Sequence, residues 1–305
     1  MYAIVGQEGG HSLANRIIID AHLHLWERQQ GEIEGKPVYS IGNGKSMFLG
    51  EIRQMMPPYL ADGKNTAERL LANMDYACVN GCVVTQEYMD GNQDEYLLKV
   101  RDKYPDRFRI CSLYEEKESF GLDGFDGVKI CAGRLADQDL KKLLPVFQRV
   151  SDAGKFISID MADGDAQVDD LQWVIDRLPK LRIAIGHFGM VTTPGWQRQI
   201  ALAKNPNVYI ESGGLTWLFH QEFYPYPSAI EAIREAISIC GIEKLMWGSD
   251  YPRTMTDITY KSAVRFLAET PRLTEAEKDA FLGKNAARFY GFKNLTPLPE
   301  IGNML

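Results

Sequence analysis

The sequence predicts an α/β protein: a single (β/α)8 TIM barrel with a long lid-like insertion after its first strand. Three observations predict it. Eight short runs rich in β-branched and aromatic residues alternate with helical stretches along nearly the whole 305-residue chain. Most of these runs end in an ionisable residue, where a barrel of this kind carries its chemistry. Such barrels commonly run to about 250 residues or more, so the length requires no second domain. One domain is expected over residues 1–305, with a core of 16–292 and extensions at 1–15 and 293–305.

The first strand is Arg16-Ile17-Ile18-Ile19-Asp20-Ala21, whose three isoleucines read as a strand buried on both faces. It runs into His22-Leu23-His24. On an extended backbone, side chains at i and i+2 project to the same side, so both imidazoles can aim at one point. The chain has five histidines (His11, His22, His24, His187 and His220), and two of them close this strand. That favours a metal-ligand or general-base site over two unrelated histidines. Residues 27–65 follow as a long irregular connection, rich in glycine and holding Pro57-Pro58. A connection of this length suits a lid or binding loop, with Arg53 and Tyr59 as candidate substrate contacts.

Thr66 is the expected N-cap of a helix reaching Ala77, and residues 82–87 form the second strand. A helix over 94–104 stops before Pro105. Residues 108–113 and 127–130 are the third and fourth strands, and the glycine-bearing stretch 115–126 between them has little helical periodicity. Helix 140–153 contains Pro145, a blemish in an otherwise helical pattern. The fifth strand (156–160), a helix (168–178), the sixth strand (182–187) and a helix (196–203) follow. Then come the seventh strand (208–212), a helix (228–239) and the eighth strand (244–250). Helices over 260–268 and 275–290, the latter capped by Thr274, complete the chain.

Composition excludes several classes. A net charge of −7 without any Lys/Arg block argues against nucleic acid, and no apolar run approaches the roughly 20 residues of a membrane span. Residues 1–15 lack a charged region followed by an apolar one, so no signal peptide is expected. The five cysteines are odd in number and scattered, which fits reduced, buried thiols in a cytoplasmic protein. The expected partner is a small-molecule substrate.

The strand ends present Glu87, Lys129, Asp160, His187, Glu211 and Asp250 beside His22 and His24. Unpaired buried charges are costly, so a converging set of them argues for ion pairing or metal ligation. Glu87 and Glu211 have the alternative of pointing outward, and Lys129 that of a structural cation neutralising carboxylates. Trp217, Phe219, His220, Tyr224 and Tyr226 follow the seventh strand and either wall a pocket or pack a loop.

Asp20-Ala21-His22-Leu23-His24-Leu25-Trp26, Ile185-Gly186-His187-Phe188-Gly189 and Gly248-Ser249-Asp250-Tyr251-Pro252 resemble the first-, sixth- and eighth-strand motifs of the amidohydrolase superfamily. The resemblance is to its amidohydrolase-related branch of small decarboxylases and lactonases, and it spans roughly Arg16 to Phe292. It implies that His22 and His24 ligate one divalent metal, with Asp250 as ligand or catalytic acid/base and His187 as a ligand or catalytic contact. The fifth strand departs from the pattern: it ends in Asp160 where a histidine is expected. Either Asp160 ligates in its place, which favours Mn over Zn, or the metal is weak or absent.

The resemblance implies hydrolysis of a lactone, ester or related carbonyl by activated water. Lys129, Arg134 or Arg253 would then hold a substrate carboxylate, with Glu87, Glu211, Trp217 and His220 as further candidate contacts. Non-oxidative decarboxylation of an aromatic or dienoic acid is the alternative, and a degenerate non-catalytic barrel the third reading. Members of this branch often form dimers, so a homodimer is expected.

Overall fold

The β-rich runs pair in sequence order into one parallel sheet whose last strand returns to its first. The computed structural model describes residues 13–301 except 117 and 119. His11 and the rest of 1–12, with residues 302–305 of the C-terminal extension, lie outside the described residues. In chain order the strands are β1 (Ile19–Leu23), β2 (Gln30–Ile33), β3 (Lys36–Gly42), β4 (Lys45–Phe48), β5 (Glu51–Gln54), β6 (Gly81–Val84), β7 (Phe108–Leu113), β8 (Gly127–Cys131), β9 (Phe156–Asp160), β10 (Arg182–Ile185), β11 (Val208–Glu211) and β12 (Leu245–Met246). The helices are α1 (Ala67–Tyr76), α2 (Asp94–Lys103), α3 (Leu144–Asp152), α4 (Val168–Arg177), α5 (Trp196–Ala201), α6 (Leu215–Leu218), α7 (Pro227–Cys240), α8 (Tyr260–Glu269), α9 (Glu275–Asp279) and α10 (Asn285–Tyr290).

β1 and β6 to β12 form the barrel, each hydrogen-bonded to the next. Ala21 N donates to Trp247 O at 2.9 Å, Asp250 N to His22 O at 2.9 Å and His24 N to Tyr251 O at 2.8 Å, closing the ring between its two ends. The register of β1 against β6 shifts between Asp20 and Leu23, an irregularity that brackets His22. Ile19, Ala21, Val83, Cys111, Ala184 and Met246 share one cluster with Phe156, Phe289 and Tyr290. Strands on opposite sides of a ring share contacts only through its middle, so this cluster fills the barrel. The larger cluster lies between strands and outer helices.

The insertion after β1 is not the irregular loop its glycines suggest. β2 to β5 form a four-stranded antiparallel sheet in meander order. Three two-residue turns build it: Glu34-Gly35 (φ 52° and 71°), Asn43-Gly44 (53° and 69°) and Leu49-Gly50 (51° and 88°). Both central residues are left-handed in each, which matches the twist of a hairpin and explains the glycine spacing. Gln30 N and Glu32 N donate to Asp90 O and Tyr88 O, so the sheet is anchored on the segment after β6.

Elsewhere the differences are local. No helix forms between β7 and β8 among the described residues. Pro145 sits in the first turn of α3, where its missing N–H costs nothing. Thr66 occupies the N-cap position without a side-chain cap bond, whereas Thr274 and Glu277 form a full capping box. The eighth strand is only two residues long. Beyond it, Trp247 N donates to Phe281 O at 2.8 Å, a carbonyl in the π-helical turn Ala280–Lys284 that joins α9 to α10. Gly283 in that turn lies against Ile17, where a Cβ would collide with the backbone carbonyl. Gly283→Ala is therefore expected to cost about 1–3 kcal/mol, read as a lower urea midpoint with unchanged slope.

Candidate active site

His22 is wholly buried, and its Nδ1 meets Glu211 Oε1 at 2.5 Å. Glu211 is fixed in turn by Gly213 N, which donates to Oε2 at 2.6 Å. A carboxylate on Nδ1 holds that nitrogen as the donor and leaves Nε2 as a lone pair facing inward. His22 Nε2 lies 3.2 Å from His24 Nε2, which lies 3.0 Å from Asp250 Oδ1. His22 Nε2 to Asp250 Oδ1 is 3.7 Å. The other oxygen of Asp250 accepts from Trp217 Nε1 at 2.6 Å, so both its oxygens are held.

A second group adjoins the first. His187 donates from Nδ1 to Gly213 O at 2.9 Å and turns Nε2 toward Asp160 Oδ2, 3.4 Å away. That same oxygen is 2.6 Å from Lys129 Nζ, and the lysine is entirely buried. Gly186 leaves room for this arrangement, since a Cβ there would collide with Asp160 Oδ1. His187 and Asp250 both have left-handed backbones, with φ of 50° and 58°. For side chains with a Cβ this is strained, and two such residues facing one cavity suit a site held by its surroundings.

The electrostatics follow from burial and pairing. Burial opposes charge on Asp250, but the His24 hydrogen bond and the His187 imidazole hold its carboxyl well below the usual range. Burial likewise opposes charge on Asp160, and Lys129 and His187 outweigh it, again lowering the carboxyl. His187 is pushed up to about 10: burial disfavours the imidazolium, but Asp160, then Asp250 and Glu211, favour it more. Burial dominates at His22 and lowers it, despite Glu211.

These groups stand at the floor of a cavity of about 430 Å³, in the size range of small-ligand sites. Of the residues singled out from sequence, His24, Glu87, Arg134, Asp160, His187, Trp217, Asp250 and Arg253 line it. Glu87 Oε1 and Arg134 Nε pair at 3.0 Å, and the Arg253 guanidinium lies 4.4 Å over the Trp217 ring. The other candidates stand elsewhere, His22 among them, buried beneath the floor. Lys129 and Glu211 are buried behind the cavity as partners of Asp160 and His22, not as substrate contacts. Arg53 lies on the exposed strand β5 beside Glu51, and His220 is exposed, its Nδ1 bonded to Trp217 O. Both sit outside the lining because β5 is the outer edge of the insertion sheet and His220 follows the last turn of α6. Tyr59 meets Tyr251 at 3.4 Å between hydroxyls. The sequence reading missed Asp90, whose Oδ2 is 3.7 Å from His24 Nδ1, and the lining residues Cys131, Gln199, Met89, Met161 and Met190.

A model of the amidohydrolase family matches residues 19–292. The chain belongs to that family. A search of curated proteins finds no match. Among solved structures, an amidohydrolase from Burkholderia multivorans with bound zinc is 16% identical, with a TM-score of 0.65, covering 90% of this chain and 99% of its own. A protein from Pseudomonas putida, provisionally described as a 2-pyrone-4,6-dicarboxylic acid hydrolase, is 21% identical (TM-score 0.68; 91% and 98% covered). A 5-carboxyvanillate decarboxylase from Novosphingobium aromaticivorans, complexed with manganese, is 17% identical (TM-score 0.54; 76% and 82% covered). At these identities the likeness is one of fold.

The amidohydrolase site fits a divalent ion. Two imidazole nitrogens and a carboxylate oxygen converge with mutual separations of 3.0–3.7 Å. Tetrahedral ligands about 2.0–2.1 Å from zinc stand roughly 3.3 Å apart. Asp160 does not join His22, His24 and Asp250; it groups with His22 and His187. Glu211 behind His22 supplies the orienting carboxylate that metal-bound histidines require. Glu211→Gln is expected to weaken divalent-ion affinity by about 10–100-fold, measured by competition with a chromogenic chelator.

Proposed function

We propose that this amidohydrolase is a metal-dependent hydrolase that opens a lactone or ester on a small carboxylate- or hydroxyl-bearing substrate. The observation that carries the reading is the placement of Asp250: one oxygen beside both histidine nitrogens, the other fixed by the Trp217 indole. A divalent ion, Zn or Mn, held by His22, His24 and Asp250 would acidify a water and polarise the substrate carbonyl.

The side chains supply the rest. Asp250, ionised and held at both oxygens, takes the proton of the attacking water and returns it to the leaving alkoxide. His187 is kept cationic by Asp160 and donates charge stabilisation to the oxyanion as it develops. Arg253, stacked on Trp217, and Arg134, steered by Glu87, present guanidinium groups to a substrate carboxylate. The two arginines select an anionic end, while Trp217 links that end to the catalytic carboxylate.

Non-oxidative decarboxylation is the second reading. Five methionines (Met55, Met56, Met89, Met161 and Met190) line the cavity and favour an apolar body on the substrate. A similar fold serves the carboxyvanillate decarboxylase. Product analysis separates the two, since a ring-opened acid without CO₂ marks hydrolysis and released CO₂ marks decarboxylation.

Asp250→Asn should lower turnover by about 10²–10⁴-fold while the circular dichroism spectrum is retained. An unchanged rate in a folded variant would remove Asp250 from the chemistry. Activity should also fall on chelation and return with Zn or Mn. Activity that survives complete removal of metal would leave Asp250 and His187 as an acid/base and oxyanion pair.

A further inference from the structure

Gln199 stands on α5 with its side chain almost wholly buried, yet it lines the cavity. Its amide nitrogen donates to Ala162 O at 3.0 Å and to Gly164 O at 2.6 Å. Both N–H groups are spent, which fixes the way the amide faces. Oε1 is left over. It accepts from no donor among the described residues, and it is not sealed away as Ser158 Oγ and Asp160 Oδ1 are. Other buried glutamines around the barrel mouth have no such spare end. Gln86 Oε1 accepts from Gln93 N, Gln167 Oε1 from Ala162 N and Gln29 Oε1 from Ser46 Oγ. Gln199 alone of these four presents a lone acceptor to the cavity.

The surroundings hold that oxygen in place and match its character. Gly189, at φ 63°, lets the segment after β10 lie against Gln199, and a Cβ there would come within 3.0 Å of Gln199 Cβ. Asp163, exposed on the same rim of the cavity, has no partner for its carboxylate among the described residues. The amides of Ala162 and Met190, which also border the cavity, are committed to Gln167 Oε1 and His187 O. Here the cavity offers acceptors, whereas Arg134 and Arg253, after β8 and β12, offer donors. A carboxylate placed against Gln199 would set oxygen against oxygen, at the cost of a buried acceptor left bare.

We propose that Gln199 is a specificity-determining residue whose Oε1 accepts a hydrogen bond from an O–H or N–H group on the substrate. The proposal rests on the hydrolase reading above and narrows its substrate. An anionic end goes to the arginines, and a donor group goes to the rim after β9 and β10, beside His187. An analogue without the donor leaves the acceptor unpaired, and a methyl ether brings a second acceptor against it, so the site rejects both. A hydroxyl and an amino group meet the requirement alike.

Matched lactones test it. Dihydrocoumarins carrying hydrogen, hydroxyl, methoxy or amino at one ring position, each position in turn, are given to Zn-loaded wild type and to Gln199→Met. The variant keeps the length of the side chain without its acceptor. The readout is kcat/KM for the hydroxyl or amino member divided by that for the methoxy member of the same set. At the ring position that reaches Gln199, the expected ratio is about 10 in the wild type and about 1 in the variant. The larger of the hydroxyl and amino ratios identifies the donor. A role confined to pinning the Ala162 and Gly164 carbonyls would lower both members together and leave the ratio at its wild-type value, which overturns the proposal. No preference for a donor at any position of the wild type overturns it as well, even should Gln199→Met fail to fold. Either result leaves the hydrolase reading intact, whereas hydrolysis of no member overturns that reading and this proposal with it.

Discussion

The site exists because the two ends of the sheet are locked together, and the lock is Asp20. This carboxylate is wholly buried and accepts from four donors: Ser249 N at 2.8 Å, Ser249 Oγ at 2.5 Å, Tyr260 OH at 2.9 Å and His22 N at 3.2 Å. The donors come from β1, from the segment after β12 and from α8, so one side chain ties three elements at the closing seam. Burial pushes the carboxyl up to about 7, and the four hydrogen bonds oppose that rise. The same seam hydrogen-bonds Asp250 N to His22 O, which sets a remote aspartate beside the histidine pair to within a backbone contact. With only two residues of regular strand in β12, the seam could not be held by a β-ladder alone; side chains and the π-turn carbonyl of Phe281 complete it.

The strained backbone is understandable on the same terms. His187, Phe188 and Met190 have φ of 50°, 51° and 53°, and Asp250 has 58°. Left-handed conformations of this kind cost of order 1 kcal/mol or more each, and they persist where the surroundings over-determine them. At His187 the determinants are the Nδ1 bond to Gly213 O and the charge contact with Asp160; at Asp250 they are Trp217, His24 and the His22 carbonyl. Such residues gain little freedom to relax, which keeps the catalytic groups pre-placed on rigid strand ends rather than on mobile loops.

How far the sequence discloses this depends on range. The barrel was legible because each strand is a local signal, a short β-branched run such as Ile17-Ile18-Ile19 or Phe156-Ile157-Ser158-Ile159. The site's principal members were legible for a related reason: they sit at strand ends, and a barrel brings strand ends together. What was not legible is pairing. Nothing local tells that Glu211 turns inward to His22, that Lys129 spends its charge on Asp160, or that Asp90 reaches His24 from a loop. Arg53 and His220 looked like substrate contacts on residue type alone, and the geometry of an edge strand and a helix end placed them outward. The insertion was misread for a different cause. Its glycines read as irregularity when taken one by one, although Glu34-Gly35 and Asn43-Gly44 are spaced as hairpin turns between strands of seven residues or fewer.

The insertion sheet reaches the site through polar contacts as well as through its methionines. Ser46 Oγ on β4 donates to Gln29 Oε1 at 2.7 Å, Gln29 Nε2 donates to Asp90 Oδ1 at 3.2 Å, and Asp90 Oδ2 faces His24 Nδ1. All of these residues are buried, so the chain of contacts is shielded from competing water. His24 Nδ1 has no hydrogen bond of its own, unlike Nδ1 of His22 and His187. The three histidines are thus held to different degrees: His22 by a rigid barrel carboxylate, His187 by a backbone carbonyl, and His24 by a carboxylate whose position is set by the lid. Gln29, which immediately precedes β2, holds the other oxygen of the carboxylate that faces His24, so the insertion borders the polar surroundings of that histidine. The lid sheet is therefore part of the electrostatic wall of the site as well as its cover, and the insertion is coupled to the chemistry by the one histidine that the barrel leaves least constrained.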